Sequence, residues 1–406
     1  MEVVRMAKKN DDFFVEKKAW SVVKDELLGC YFKPYVQKIL YTYKPLVYVD
    51  CFAGKGKFED GNPGSPLIAL DIIDQCCAAT TLQQRPNIEA TFIDLNYAED
   101  LQHNLSAYPW VRIVSGKYED NIKAILRGKE NCNVFLYIDP YGIKALQCSF
   151  FDSFAKGRFN SIELLINMNS FGFIREACHA MGTTFDDKSL FTDLVEYEPT
   201  KMDASEKSIR ELNEIAGGDY WKPIIEAYKK GEIDGYEAEA LFAEQYCMRL
   251  MENYTFVLNM PLRIKKGQRP KYRLIHATNH RDGCLLMVDN ICNRWEALQE
   301  IQTGGQLQLW AENYDNQMVD EDDIEQKAIE HFSQCVNWTS LHDALAEFFM
   351  KHGPICSTGE IKKLLKNYEK KGRIRLMRNP DTTAKGKPTT FMSEEKGKTV
   401  SVSWVT

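Results

Sequence analysis

The sequence predicts an α/β chain: a doubly wound parallel sheet with a helical insertion, followed by a smaller helix-and-hairpin domain. Three observations carry this prediction. The stretch Leu46 to Leu70 (LVYVDCFAGKGKFEDGNPGSPLIAL) reads as strand, glycine turn and helix. Short apolar runs recur at 89–94, 110–114, 133–138 and 162–169 between helical patterns, which is the rhythm of βαβ units. From Gln302 to Asp323 the composition turns polar and acidic, as a linker does.

At 406 residues and 44% hydrophobic content the chain can build two domains. Its formal charge of -7 gives no global attraction for nucleic acid, so any basic surface has to be local. No run of about eighteen apolar residues exists, and MEVVRMAKKNDDFF lacks a signal-peptide core; a soluble, cytoplasmic protein without membrane contact is expected. The 12 cysteines form no Cys-x-x-Cys pair and suit reduced, buried thiols. His276, His280 and Cys284 fall at intervals of four, but a strand and then a turn are expected there, so no metal site is predicted.

In chain order, residues 13–44 show helical spacing, divided by Gly29 and Pro34 into two expected helices that cover the sheet edge or the mouth of a site. The run Leu46–Val49 is continuous enough for a strand buried on both faces. It ends at Asp50 and breaks into Phe52-Ala53-Gly54-Lys55-Gly56, where a ligand can approach bare backbone. Ser65 suits an N-cap and Pro66 the first helical position. Phe52 stands where a dinucleotide fingerprint needs its first glycine, and no phosphate-binding Gly-x-x-x-x-Gly-Lys loop is present. Asp94 closes the second strand, and its carboxylate can accept ribose hydroxyls. Beyond the third strand, Tyr118 or Glu119 suits an adenine, by stacking or by accepting its amino group.

The fourth strand empties into Asp139-Pro140-Tyr141-Gly142. The Asp139 carboxylate and the Pro140 carbonyl can both accept hydrogen bonds from an exocyclic NH2, aiming the nitrogen lone pair, while Tyr141 stacks on the base. A base reaching this turn from a duplex has to be flipped out. After the fifth strand, residues 174–253 read as a helical insertion. Two close strands come next, 254–260 and 272–278, joined by the basic connector 263–271.

The Asp-x-Phe-Ala-Gly-x-Gly turn resembles that of S-adenosylmethionine-dependent methyltransferases acting on nucleic acids, and a sixth strand with an antiparallel seventh is the ending expected of their fold. Asp139-Pro140-Tyr141-Gly142 lacks one proline of Asp/Asn-Pro-Pro-Tyr/Phe and is locally similar to the Asp-Pro-Phe-Gly of tRNA guanine-N2 dimethyltransferases. Trp20, Tyr48 to Gly54, Gly64 to Leu70, Phe92-Ile93-Asp94, Ile138-Asp139-Pro140 and Leu274 to Thr278 together resemble the three-Cys-motif partner family over roughly residues 13 to 295. Lys55 stands where that family often has proline. The resemblance implies a bacterial, methyltransferase-like Rossmann fold and a three-cysteine-motif partner of the radical, iron–sulfur type; it implies no substrate.

In the C-terminal part, Leu341–Phe349 reads as an amphipathic helix, and Ser357 with Glu360 forms a capping box that starts another. Strands are expected at 373–378 and 389–392, so that helix, turn, helix and hairpin make a winged helix. Between Lys362 and Lys387 ten Lys/Arg stand against Glu369 and Asp381, a concentration suited to phosphate contact.

The expected organisation is therefore a Rossmann-like class I methyltransferase sheet over 1–300 with a helical insertion, a linker at 301–325, and a winged helix at 326–406. The expected activity is S-adenosylmethionine-dependent methylation of an exocyclic amino group of a nucleic-acid base. Asp50, Phe52, Ala53, Gly54, Gly56, Asp94 and Tyr118 are the expected cofactor residues, and Asp139, Pro140 and Tyr141 the expected acceptor-binding ones. Lys362, Lys363, Lys366, Lys370, Arg373, Arg375 and Arg378 are the expected nucleic-acid contacts. A catalytically silent adaptor of a three-cysteine-motif protein, and a small-molecule methyltransferase with a protein-docking tail, are the alternatives.

Overall fold

The computed structural model describes residues 14–17, 19–82, 86–185, 202–262, 272–302, 321–394 and 397–405. The chain divides into two compact units, Met1–Asn279 and His280–Thr406.

The first unit carries seven strands: β1 (Leu46–Asp50), β2 (Ile88–Asp94), β3 (Arg112–Ser115), β4 (Asn133–Ile138), β5 (Ser161–Met168), β6 (Phe256–Leu262) and β7 (Tyr272–Thr278). They form one sheet in the order β3-β2-β1-β4-β5-β7-β6. β1 to β5 run parallel, whereas β7 runs antiparallel to both β5 and β6. This is the class I methyltransferase version of the doubly wound sheet. β1 and β4 are buried along their whole length, as strands covered by helices on both faces are. The third strand starts two residues later than its apolar run suggests. Trp110 lies in a turn and is 44% exposed, and β3 is a half-exposed edge strand.

One helix, α1 (Ala19–Leu40), replaces the two expected before β1, running through both Gly29 and Pro34. Proline costs an interior helix one hydrogen bond. Here the turns around it are held by burial: Tyr31, Phe32, Tyr35 and Val36 are at most 2% exposed. Phe32 and Tyr35 pack on Phe135 of β4, and Phe32 packs on Tyr48 of β1. At Gly29, α1 packs against Ile68 and Ile72 of α2 (Ser65–Ala79). α3 (Ala98–Asn104), α4 (Tyr118–Leu126) and α5 (Cys148–Ala155) complete the crossovers between the parallel strands.

Between β5 and β6 the chain inserts α6 (Ser170–Ala180), α7 (Glu206–Ala216), α8 (Trp221–Lys229) and α9 (Gly235–Leu250). Asp234 and Glu237 cap α9 reciprocally and fix its start at Gly235. Phe173 of α6 stacks on Phe242 of α9 with ring centroids 3.9 Å apart, both fully buried. Replacing Phe242 by alanine empties this contact and should cost about 3–5 kcal/mol, read from the shift of the urea midpoint. α9 is tied to β7 through Arg273, which donates to both oxygens of the buried Glu239 at 2.6 and 2.7 Å; Ser170 donates to the same carboxylate.

The second unit contains α10 (Arg281–Gln302), α11 (Glu321–Phe332), β8 (Thr339–Ser340), α12 (Leu341–His352), α13 (Thr358–Lys370), β9 (Ile374–Asn379) and β10 (Thr399–Trp404). The division at 279/280 falls before the expected boundary of 300, because α10 packs with α12 and α13. Asp322 and Asp323, from the acidic run assigned to the linker, lie in the first turn of α11, where carboxylates suit the positive end of the helix dipole. The remainder of that linker, 303–320, lies outside the described residues, as does the connector 263–271. The capping box of Ser357 and Glu360 is formed as expected. The hairpin differs: the strand opposite β9 is β10, with Val400 and Val402 turned inward, while Thr389–Met392 belongs to the loop between the two strands. The small sheet has the order β8-β10-β9.

Among the described residues no helix is long and apolar enough to cross a membrane.

Candidate active site

The strand order reverses between β1 and β4, and at such a switch point the carboxyl ends of the strands open a crevice. Asp50 ends β1 and Asp139 lies just past β4, so the topology brings both carboxylates to one place. A cleft of about 800 Å³, open to solvent, lies there. Phe52, Ala53, Gly54 and Gly56 line it from the glycine turn, and Asp139, Pro140 and Tyr141 line it from the β4 turn.

The turn is held by its own backbone and two acids. Ala53 N–H donates to Ile93 O at 2.9 Å, and Cys51 N–H to Tyr137 O at 2.9 Å. Asp50 is fully buried; it accepts the Ser65 hydroxyl at 2.7 Å and the Phe52 N–H at 3.2 Å. Ser65 thus spends its hydroxyl on Asp50 and does not cap α2, whose N-cap is Gly64. Burial pushes the Asp50 carboxyl up to about 7, against those two hydrogen bonds. Gly54 has φ +60°, and a Cβ there would lie 2.9 Å from the Phe14 ring. Gly56 has φ +76°, and its Cβ would lie 2.8 Å from Leu101 Cδ1.

Of the expected cofactor residues, Asp50, Asp94 and Tyr118 are not among those lining the cleft. The Asp94 carboxylate accepts the backbone N–H of Gly54 at 2.9 Å and those of Asn96 and Tyr97 at 2.8 Å each, so it fastens the glycine turn to the end of β2. Tyr118 is 1% exposed, packs against Phe52 and Phe150, and its hydroxyl has no hydrogen-bond partner among the described residues.

The residues that sequence reasoning missed come chiefly from α1. Ser21, Lys24 and Asp25 line the cleft, as do Phe14, Phe58, Asn169 and Tyr272. Lys24 Nζ donates to both oxygens of Asp139 at 2.8 Å and sits 5.1 Å from the Tyr272 ring centroid. Burial alone would lower the Lys24 ammonium; Asp139, and after it Tyr272, more than offset this and hold it above the ordinary lysine value. Asp25 pairs with Lys17 at 2.7 Å, and burial pushes its carboxyl up to about 6 despite that partner.

Asp25 and Asp50 are thus harder to ionise in the folded chain than in the unfolded one. Their neutral forms support the fold fully below about pH 4, and that support is lost as pH rises through about 6 and 7. Asp50→Asn should therefore gain stability relative to the parent between about pH 5 and 8, measured as urea midpoints across that range.

His276 lies inside the first unit, 1% exposed, with Nε2 3.0 Å from both Glu163 Oε2 and Tyr31 Oη; Tyr31 also donates to Glu163. Among the described residues no group of three or more His, Cys, Asp or Glu is arranged to hold a metal ion.

In the second unit, Lys363, Lys366, Lys370, Arg373 and Arg375 are exposed, and Lys362 is half-buried. Arg378 is committed elsewhere: its guanidinium bridges both oxygens of Glu369 at 2.8 and 2.9 Å and donates to Phe391 O, tying the hairpin loop to α13.

No family model matches the chain, and no curated protein matches it. Similar solved structures include the DszA carbon methyltransferase, at 12% identity and TM-score 0.29, over 58% of this chain and 47% of that one. Loganic acid methyltransferase with SAH shows 13% identity and TM-score 0.30, over 71% and 87%. A cyclopropane-fatty-acyl-phospholipid synthase-like protein from Lactobacillus casei ATCC 334 shows 9% and 0.25, over 68% and 100%. The chain thus spans about half the length of the first of these. Similarity this loose adds nothing to what the strand order establishes.

Proposed function

We propose that this protein is an S-adenosylmethionine-dependent methyltransferase that acts on an exocyclic amino group of a nucleic-acid base. The observation that carries the reading is the meeting of the glycine turn and the Asp139-Pro140-Tyr141 turn in one cleft at the switch point. The cleft chemistry fits such a cofactor. Burial favours the neutral forms of Asp25 and Asp50, so a cationic ligand is a natural counterpart to their ionised forms. When bound, S-adenosylmethionine supplies an activated methyl group on a sulfonium.

The backbone of Phe52 to Gly56 would hold the cofactor, with Asp94 fixing that turn from behind. Asp139 and the Pro140 carbonyl would accept the two N–H bonds of the incoming amine, and the half-exposed Tyr141 would stack on its base. The helices and hairpin of the second unit would serve as a winged helix, and its exposed Lys363, Lys366, Lys370, Arg373 and Arg375 would contact phosphate. Calorimetry with S-adenosylmethionine and S-adenosylhomocysteine, followed by transfer of labelled methyl groups to RNA and DNA, tests the reading. Absence of cofactor binding would end it. The triple change Lys363→Glu, Lys366→Glu, Lys370→Glu should weaken nucleic-acid binding and reduce the slope of log affinity against log salt by about 3.

One observation favours a second reading. Lys24 occupies both oxygens of Asp139, the acceptor that an amine needs. A chain in which this pair never opens would be a catalytically silent adaptor, binding cofactor or nucleic acid beside a three-cysteine-motif partner. Cofactor binding without turnover on any nucleic acid would support it.

A further inference from the structure

We infer that Asp25 is the seat of the α-ammonium in the methionine half of the cofactor, an assignment that rests on the cofactor reading above. Three carboxylates gather at the switch point. Asp139 has both oxygens engaged by Lys24. Asp50 is wholly buried, with one oxygen taken by Ser65 and the other by the Phe52 N–H. Asp25 lines the cleft, and its side chain keeps 11% exposure. Its Oδ2 meets Lys17 at 2.7 Å.

Lys17 does not satisfy this carboxylate in full. Its ammonium also donates to Pro63 O at 2.8 Å, and its backbone N–H donates to Asp60 at 3.0 Å, so it is tethered to the loop after the glycine turn. A desolvated carboxylate in a cleft wall, with a counter-ion shared with a backbone carbonyl, is stabilised by a second cation that brings its own N–H donors. A primary ammonium carries three such donors; a sulfonium carries none, and a carboxylate none. Ser21, one helical turn before Asp25 and lining the same cleft, adds a hydroxyl that can accept another of them. Of the charged groups on the cofactor, the ammonium alone matches this wall.

The test compares two ligands on two proteins by calorimetry: S-adenosylhomocysteine, and its desamino analogue 5′-deoxy-5′-(3-carboxypropylthio)adenosine, each on the full chain and on Asp25→Asn. The parent should bind S-adenosylhomocysteine about 10–100-fold more tightly than the analogue, the range of a charge-assisted hydrogen bond. Asp25→Asn should lose that advantage and bind both ligands about as the parent binds the analogue. Equal loss for both ligands, or no loss for either, overturns the assignment and leaves the cofactor reading standing. Failure of the parent to bind either ligand overturns both. The parent's own preference gives a reading that does not depend on the variant folding: equal affinities for the two ligands overturn the assignment.

Discussion

Replacing Asp139 by alanine is expected to lower methyl transfer by about 10²–10³-fold, the usual cost of removing one preorganised polar contact to a reacting group, while S-adenosylhomocysteine affinity stays within a few-fold. The split comes from position. Asp139 lies beyond the end of β4 beside Tyr141, whereas the glycine turn is held by Asp50, Asp94 and backbone bonds that do not involve Asp139. The two cofactor forms should also part company. Removing Asp139 leaves the Lys24 ammonium without its bidentate partner in a largely buried place. That charge repels a sulfonium but not a thioether, so S-adenosylmethionine should weaken more than S-adenosylhomocysteine, and adding Lys24→Met should abolish the difference. Loss of S-adenosylhomocysteine binding to the same degree as turnover would instead make Asp139 a cofactor ligand.

Gly54→Val is expected to reduce cofactor affinity by about 10²-fold or more, through a strain of about 1–3 kcal/mol at a left-handed residue and a steric conflict added to it. At φ +60° a β-branched residue is out of place, and its Cβ would press on Phe14 at 2.9 Å. Relief requires either the turn or the ring to move. Moving the turn breaks the Gly54 N–H bond to Asp94; moving Phe14 disturbs its contacts with Phe58 and Tyr97. Calorimetry on a variant whose far-ultraviolet spectrum and melting are near the parent's isolates the effect. Undiminished affinity would show that the ligand does not depend on this backbone.

The parts of the fold legible in the sequence are those where one physical demand dominates. β1 and β4 are read as observed within one residue because strands buried on both sides leave continuous apolar runs. Helix breaks mislead where packing overrides local preference: the aromatic layer around Pro34 holds α1 together. β10 is overlooked because Phe391 and Met392 draw attention to the preceding loop, although Val400 and Val402 show the alternation of a half-buried strand. The motifs name both halves of the cleft but not its helical wall. Leu28, Tyr31 and Tyr35 form the buried stripe of α1, and Lys24 and Ser21 continue it at the same spacing toward the N-terminus. Polar residues on the line of a buried stripe are the available signal that the stripe leaves the core and enters a site. Arg378 gives the converse case. Composition counts it with the basic surface, and only the neighbourhood of Glu369 reveals it as a fastener.

The point of division between the two units has a consequence for how such a chain can change. Every described residue lining the cleft lies between Phe14 and Tyr272, and the last strand of the seven ends at Thr278, one residue before the division. Among the described residues, the cleft lining and the seven-stranded sheet both come from the first unit. On the proposed reading, recruitment and chemistry would therefore be written in separate, consecutive stretches of the chain. On that reading, a recombination event at 279/280 would hand the same cleft a new clientele, leaving selection free to alter what is brought to it without rebuilding what happens in it.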